Sequence, residues 1–188
     1  PSPPAWSSVS CRAARRLTGE GAVVAPRFLV NQLLRPYLRR GQGAAFHLPG
    51  LLAEGGRALA LDTGDLAELV FHLPLLQGLR QSCPALALEI LLPQEHVPLA
   101  VGTGLFQRCL VVAPKQLRPL RLGFLTLLRE LRAGDYRAAF VLHHDPSPVH
   151  ELLALGSGAA LRLGPSHPGG PPAINFEVRP ADRRGYRG

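Results

Sequence analysis

From Ala58 to Glu68 the chain passes out of a short apolar run, through the turn Asp62-Thr63-Gly64-Asp65, and into a second apolar pattern. Carboxylates, a hydroxyl and a glycine are thus crowded together just after Leu61. An apolar run of this length, with Gly55-Gly56 before it and a polar turn after it, is the pattern of a buried strand in a parallel sheet. In open parallel sheets ligands bind outside the carboxyl ends of the strands. The stretch Asp62 to Glu68 is therefore placed where chemistry would be done.

A second polar group follows another apolar run: His143, His144, Asp145 and, a little further on, His150. Imidazole and carboxylate are good ligands for first-row metals. Adjacent histidines at a strand end diverge, however, and no second cluster supplies the remaining ligands. The group reads as a polar loop on the substrate side of the sheet, and neither a metal nor a cofactor is called for. His72, just before Pro74, reads as a partly buried, hydrogen-bonded core residue. Gly102-Thr103-Gly104 is too short for a phosphate loop, and neither G-x-G-x-x-G nor G-x-x-x-x-G-K-[ST] occurs. Ser157 lies in Gly-Ser-Gly without the frame of a nucleophile elbow, so it reads as a turn.

The elements that must hold these groups are legible from periodicity. Leu66, Leu69, Val70, Leu73, Leu76 and Leu79 recur at helical spacing, and Thr63 or Asp65 can cap the first free amides. Pro74 lies inside this pattern and predicts a kink or break near Phe71 to Leu73. Further strands are expected at Ala85 to Leu92, Cys109 to Val112, Ala138 to Leu142 and Ala160 to Leu163. Helices are expected at Glu95 to Val101, Leu120 to Leu131 and Val149 to Leu155. Strands alternating with helices at this spacing give a Rossmann-like, doubly wound parallel sheet in the α/β class. The chain divides into an N-terminal tail (1–25), a basic amphipathic helix and linker (26–56), the Rossmann-like domain (57–164) and a Pro/Gly/Arg-rich tail or interdomain linker (165–188).

Composition narrows the classes. The chain of 188 residues has 46% apolar and 18% charged residues, which is globular. Its formal charge of +8 is carried by arginine, Lys115 being the sole lysine, and methionine is absent, a bias of GC-rich coding sequences. With only 6% aromatics, no zinc-finger spacing and no interleaving of basic and aromatic residues, specific nucleic-acid binding is not expected. Cys11, Cys83 and Cys109 are odd in number and irregularly spaced, which argues for a reducing compartment and against a disulfide framework. Cys83 and Cys109 read as small buried hydrophobes. No apolar run approaches the roughly 20 residues of a membrane span. Arg12, Arg15, Arg16 and Glu20 stand where a signal peptide would need an apolar core. A cytoplasmic location is expected. The helix carrying Phe28, Leu29, Leu33, Leu34, Tyr37 and Leu38, with Arg27, Arg35, Arg39 and Arg40 opposite, leaves two readings open. It can lie on the inner, anionic membrane surface as a peripheral contact, or pack on the sheet with a solvated basic face.

The succession of strand, polar turn and Pro-containing helix, followed by LLQGLRQSCP, ALALEILLP, AGDYRAAFVLHH and GSGAALRLG, resembles the N-terminal domain of glycosyltransferase family 9. That family contains the ADP-heptose:lipopolysaccharide heptosyltransferases. The resemblance covers about Arg57 to Gly164. It implies the N-terminal half of a GT-B fold, in which this domain receives a glycan or lipid-linked acceptor and a second domain holds the nucleotide-sugar donor. The implied role is a heptosyltransferase-like step of lipopolysaccharide biosynthesis in the bacterial cell envelope. The alternative is a non-catalytic binding or assembly module of the same descent. The family has a basic residue at the end of the first strand and a Gly-Asp pair about six residues before the Pro. Counting back from Pro74 places Ala67-Glu68 at Gly-Asp and Asp62 at the basic residue. The resemblance thus implies Glu68 as general base toward an acceptor hydroxyl, or Asp65 if Gly64-Asp65 is the true equivalent. Asp62, Thr63, Gly64, His143, His144 and Asp145 are implied as substrate contacts.

Overall fold

A computed structural model describes residues 50, 52, 54–119, 121–143, 147–165 and 173–178. The expectations for 1–49, for His144 and Asp145, and for most of 165–188 lie outside the described residues.

Gly55 and Gly56 take positive φ of 77° and 102°, which turns the chain into the first strand, and a Cβ at Gly55 would lie 2.9 Å from the Ala85 carbonyl oxygen. The elements in order are β1 (Gly56–Leu61), α1 (Leu66–Ser82), β2 (Leu86–Pro93), α2 (Val97–Gly102), β3 (Arg108–Val112), α3 (Leu122–Ala133), β4 (Tyr136–Val141), α4 (Pro148–Gly156), β5 (Leu161–Gly164) and β6 (Phe176–Glu177). Short 3-10 turns precede α2 at Gln94–His96 and α3 at Pro114–Leu117. All pairings are parallel, in the order β3-β2-β1-β4-β5-β6. This is the α/β, Rossmann-like, doubly wound arrangement expected from the sequence.

Alternation along the strands divides the core. Ala58 and Ala60 face one layer with Leu69, Leu76, Leu88 and Ile90, beneath α1 and α2. Leu59 and Leu61 face the other, with Phe124, Leu127, Leu131 and Leu153 from α3 and α4. Central strands buried on both faces explain why they read as unbroken apolar runs. The one carboxylate within them, Glu89, is 4% exposed and accepts the Tyr136 hydroxyl at 2.7 Å. That bond and burial push the Tyr136 pKa upward from its ordinary value, burial being the larger cause.

Three expectations are corrected. The break near Pro74 does not occur, since α1 runs from Leu66 to Ser82 with Pro74 inside it. Pro74 is on the exposed side, where the carbonyl one turn back can be solvated, so the lost bond does not end the helix. Leu66 and Val70 do not join the buried stripe. They are 49% and 50% exposed, beside Phe71 at 81% and Leu75 at 61%, so the apolar surface of α1 is wider than the face it buries. Finally, the Pro/Gly/Arg-rich stretch 165–188, for which no strand was expected, contributes β6, paired with β5 through Leu163 to Phe176 and Gly164 to Glu177.

Candidate functional site

Strand order reverses between β1 and β4, which makes the crevice outside their carboxyl ends the switch point where ligands bind in this architecture. Three segments meet there. The turn after β1 brings Asp62, Thr63 and Gly64; the first turns of α1 bring Glu68 and His72; the end of β4 and the start of α4 bring His143, Ser147 and His150. The strand ends are tied together, Asp62 N donating to the Leu91 carbonyl at 3.0 Å and Leu142 N to the Leu61 carbonyl at 3.0 Å.

Asp65, and not Thr63, caps α1: its Oδ1 accepts the Glu68 amide at 2.9 Å. Glu68, one turn in, faces His143, whose Nδ1 lies 3.1 Å from Glu68 Oε2. The other nitrogen of His143 is 3.4 Å from Thr63 Oγ1. Thr63 Oγ1 is also 2.8 Å from His150 Nε2, and the His143 and His150 rings stack at 4.1 Å.

The proton positions follow from the one group that can only donate. The Ser147 amide gives its hydrogen to His150 Nδ1 at 3.0 Å, so that nitrogen carries a lone pair and the ring proton sits on Nε2. Nε2–H then donates to Thr63 Oγ1, which leaves the threonine proton for His143 Nε2. His143 in turn carries its hydrogen on Nδ1, the nitrogen 3.1 Å from Glu68 Oε2, a close contact that is not aligned as a hydrogen bond. A neutral His150 is what its surroundings enforce. Its pKa is lowered from 6.5 to about 4, by burial first and then by the neighbouring His143, with Asp62 opposing them.

Asp62 departs from its expected role. The resemblance puts it in the place of a substrate-binding basic residue, but its side chain is fully buried and turns inward, accepting from His72 Nδ1 at 2.8 Å. That oxygen is thereby hydrogen-bonded within the fold. Its Oδ1 has no hydrogen-bond partner among the described residues. His72, 21% exposed at the side chain, is the partly buried, hydrogen-bonded residue its position suggested.

Gly64 supplies space. A Cβ there would overlap Glu68 Oε2 and come within 2.9 Å of His143 Cε1. Thus Asp62, Thr63, Gly64, Glu68 and His143 come together, Asp65 stands at the rim as a cap, and His144 and Asp145 lie outside the described residues. Sequence reasoning missed His150 as a partner of Thr63, having weighed it only as a metal ligand. Only its pairing with Ser147 had a local signal, the capping-box spacing of three residues; its contact with Thr63 had none. Among the described residues no set of three or more His, Cys, Asp or Glu is placed to hold a metal, and no helix is long and apolar enough to cross a membrane.

No family model matches the chain, and no curated protein matches it in sequence. Among solved structures it is similar to the glycosyl transferase family 9 from Veillonella parvula DSM 2008, with a TM-score of 0.59 and 19% identity. The likeness covers 66% of this chain and 36% of that one, so this chain spans little more than a third of its length. At such identity the likeness speaks to the fold, and the shared Rossmann-like α/β sheet is what this chain has in common with that glycosyltransferase.

Proposed function

We propose that this domain is the acceptor side of a GT-B glycosyltransferase, heptosyltransferase-like, which transfers a sugar from a nucleotide-sugar donor to a glycan or lipid-linked acceptor. The observation that carries this reading is the Glu68–His143 couple at the β1–β4 switch point. Glu68 is the general base. Its carboxylate takes the proton of the acceptor hydroxyl as that oxygen attacks the sugar's anomeric carbon, and the nucleoside diphosphate leaves with the electron pair of the broken bond. His143, beside Thr63, places an imidazole 3.1 Å from the carboxylate on this side of the crevice. Asp65 is the weaker candidate, because its Oδ1 is committed to the amide of Glu68. The donor belongs to a second domain, and the reaction to the cytoplasmic face of the membrane, where a lipid-linked acceptor would present its glycan.

A non-catalytic binding module is favoured by one observation, the inward carboxylate of Asp62 where the family's pattern has a cation. Donor hydrolysis and transfer by the full-length gene product, with a panel of nucleotide sugars including ADP-heptose, separates the two. Glu68→Gln is expected to lower turnover by about 10²-fold or more with the fold intact, and Asp65→Asn to cost far less. Absence of both binding and turnover in the unmutated protein would assign it to the binding class.

A further inference from the structure

Away from the β1–β4 crevice, an open cavity of about 720 Å³ lies beyond the carboxyl end of β3, lined by Lys115, Gln116, Arg118, Arg121, Leu122 and Gly123. We propose that this cavity is a binding site for a phosphate or diphosphate group. Three cations face it, and no carboxylate is among its described lining residues.

Abundant arginine alone would not mark a site in this chain, so the comparison within the molecule decides. Arg57, Arg108 and Arg137 pair with Glu89, Glu130 and Glu54, while Arg80 and Arg162 donate to backbone carbonyls. Lys115, Arg118, Arg121, Arg129 and Arg132 engage no acceptor among the described residues. Three of these five line this cavity, and one of the three is the only lysine in the sequence. A coding bias toward arginine does not account for that lysine.

Their placement also runs against local stability. Arg121 immediately precedes α3, offers no side-chain cap, and the first turn of the helix contains no acidic residue. Cations gathered at the positive end of a helix dipole repel it as well as one another. Places where a sequence breaks a local rule without internal compensation are where function is expected, and a bound polyanion would supply the compensation. Guanidinium groups give such an anion paired, charge-assisted hydrogen bonds, with lysine as a point charge beside them. The cavity is large enough to admit the group that bears the phosphate as well.

The site lies on the same edge of the sheet as Glu68, two strands away, about 10 Å at the usual strand spacing. It does not depend on the sugar-transfer reading. The phosphate can come from a soluble phosphorylated ligand or from a lipid headgroup, and the test separates these. The full chain is titrated with inorganic pyrophosphate by calorimetry, beside Lys115→Ala/Arg118→Ala/Arg121→Ala and the control Arg129→Ala/Arg132→Ala. All five side chains are exposed, so the fold should survive in both. Saturable binding to the unmutated chain, weakened about tenfold or more in the triple variant and unchanged in the control, is expected. Equal loss in both variants, or no saturable binding, overturns the site as a mere consequence of net charge. Flotation with phosphatidylcholine vesicles containing phosphatidic acid then assigns the source. Vesicle binding that pyrophosphate displaces and the triple variant lacks points to a headgroup, and pyrophosphate binding without vesicle binding points to a soluble ligand.

Discussion

A methyl group at position 64 would occupy the space in which Glu68 and His143 meet, and this makes Gly64→Ala the sharpest single test of their partnership. The substitution removes no charge and no hydrogen-bonding side chain. If the orientation of Glu68 matters for proton transfer, Gly64→Ala should lower donor turnover by roughly 10²-fold, close to the effect of Glu68→Gln. Turnover near the unmutated level would show that the couple is not used. His150 offers a second test that needs no substrate. Its pKa is about 4 in the fold against 6.5 unperturbed, so between those values the unfolded chain binds the proton and the folded one does not. Stability must therefore fall as pH drops from 6.5 toward 4, and be fully present above that range. The loss is at most roughly 2 kcal/mol after allowing for partial solvation. Glutamine at 150 can still accept from Ser147 and donate to Thr63 without titrating. Urea denaturation of His150→Gln should accordingly show a flatter pH dependence over that window than the unmutated chain.

The helix α1 shows which element-scale features periodicity conveys and which it does not. Leu69 and Leu76 were legible as core because they recur at helical spacing and are wholly buried. Leu66 and Val70 have the same spacing and chemistry, yet remain half exposed, because apolar type does not reveal how far the neighbouring layer extends over a helix. Of the kink or break expected at Pro74, the break does not occur, for a similar reason. Its cost inside a helix is intrinsic, but whether the helix ends there depends on tertiary support, and Leu76 and Leu79 beyond it are held by the core. The site follows the same division. The turn Asp62 to Asp65 was readable as a strand-to-helix connection, and its place in the sheet followed. The contact between Thr63 and His150 spans 87 residues and has no local signature. If α1 persists despite its proline, the missing bond to the Val70 carbonyl should be recoverable. Pro74→Ala is expected to stabilise the domain by roughly 1–2 kcal/mol, the regained bond outweighing the greater freedom of the unfolded chain. A lower denaturation midpoint would instead mean that α1 relies on the ring for packing.

For the whole molecule the sixth strand carries the consequence. The strands could be inferred as far as β5, where alternation of strands and helices stops. β6 lies within a Pro- and Gly-rich stretch whose composition predicts irregular chain. Two residues override composition there. Asn175 accepts the Arg162 amide on Oδ1 at 2.7 Å and donates through Nδ2 to the Ala160 carbonyl at 2.6 Å, mimicking a strand partner with its side chain. Arg162, 4% exposed, reaches across to the Ala173 carbonyl and also donates to the Ala159 carbonyl of its own segment. The returning segment is thus fastened to β5 by polar clasps, while Phe176 and Val178 remain about half exposed. An edge strand held this way should detach without unfolding the sheet. Asn175→Ala removes both side-chain bonds and strands the Arg162 amide, a cost of about 1–3 kcal/mol confined to that edge. Hydrogen exchange should then show the Val178 amide, which donates to the Gly164 carbonyl at 3.0 Å, losing protection, while amides of β1 and β4 keep theirs. Uniform loss across all six strands would mean that β6 is part of the cooperative core, and that a domain boundary at Gly164 cuts through the fold.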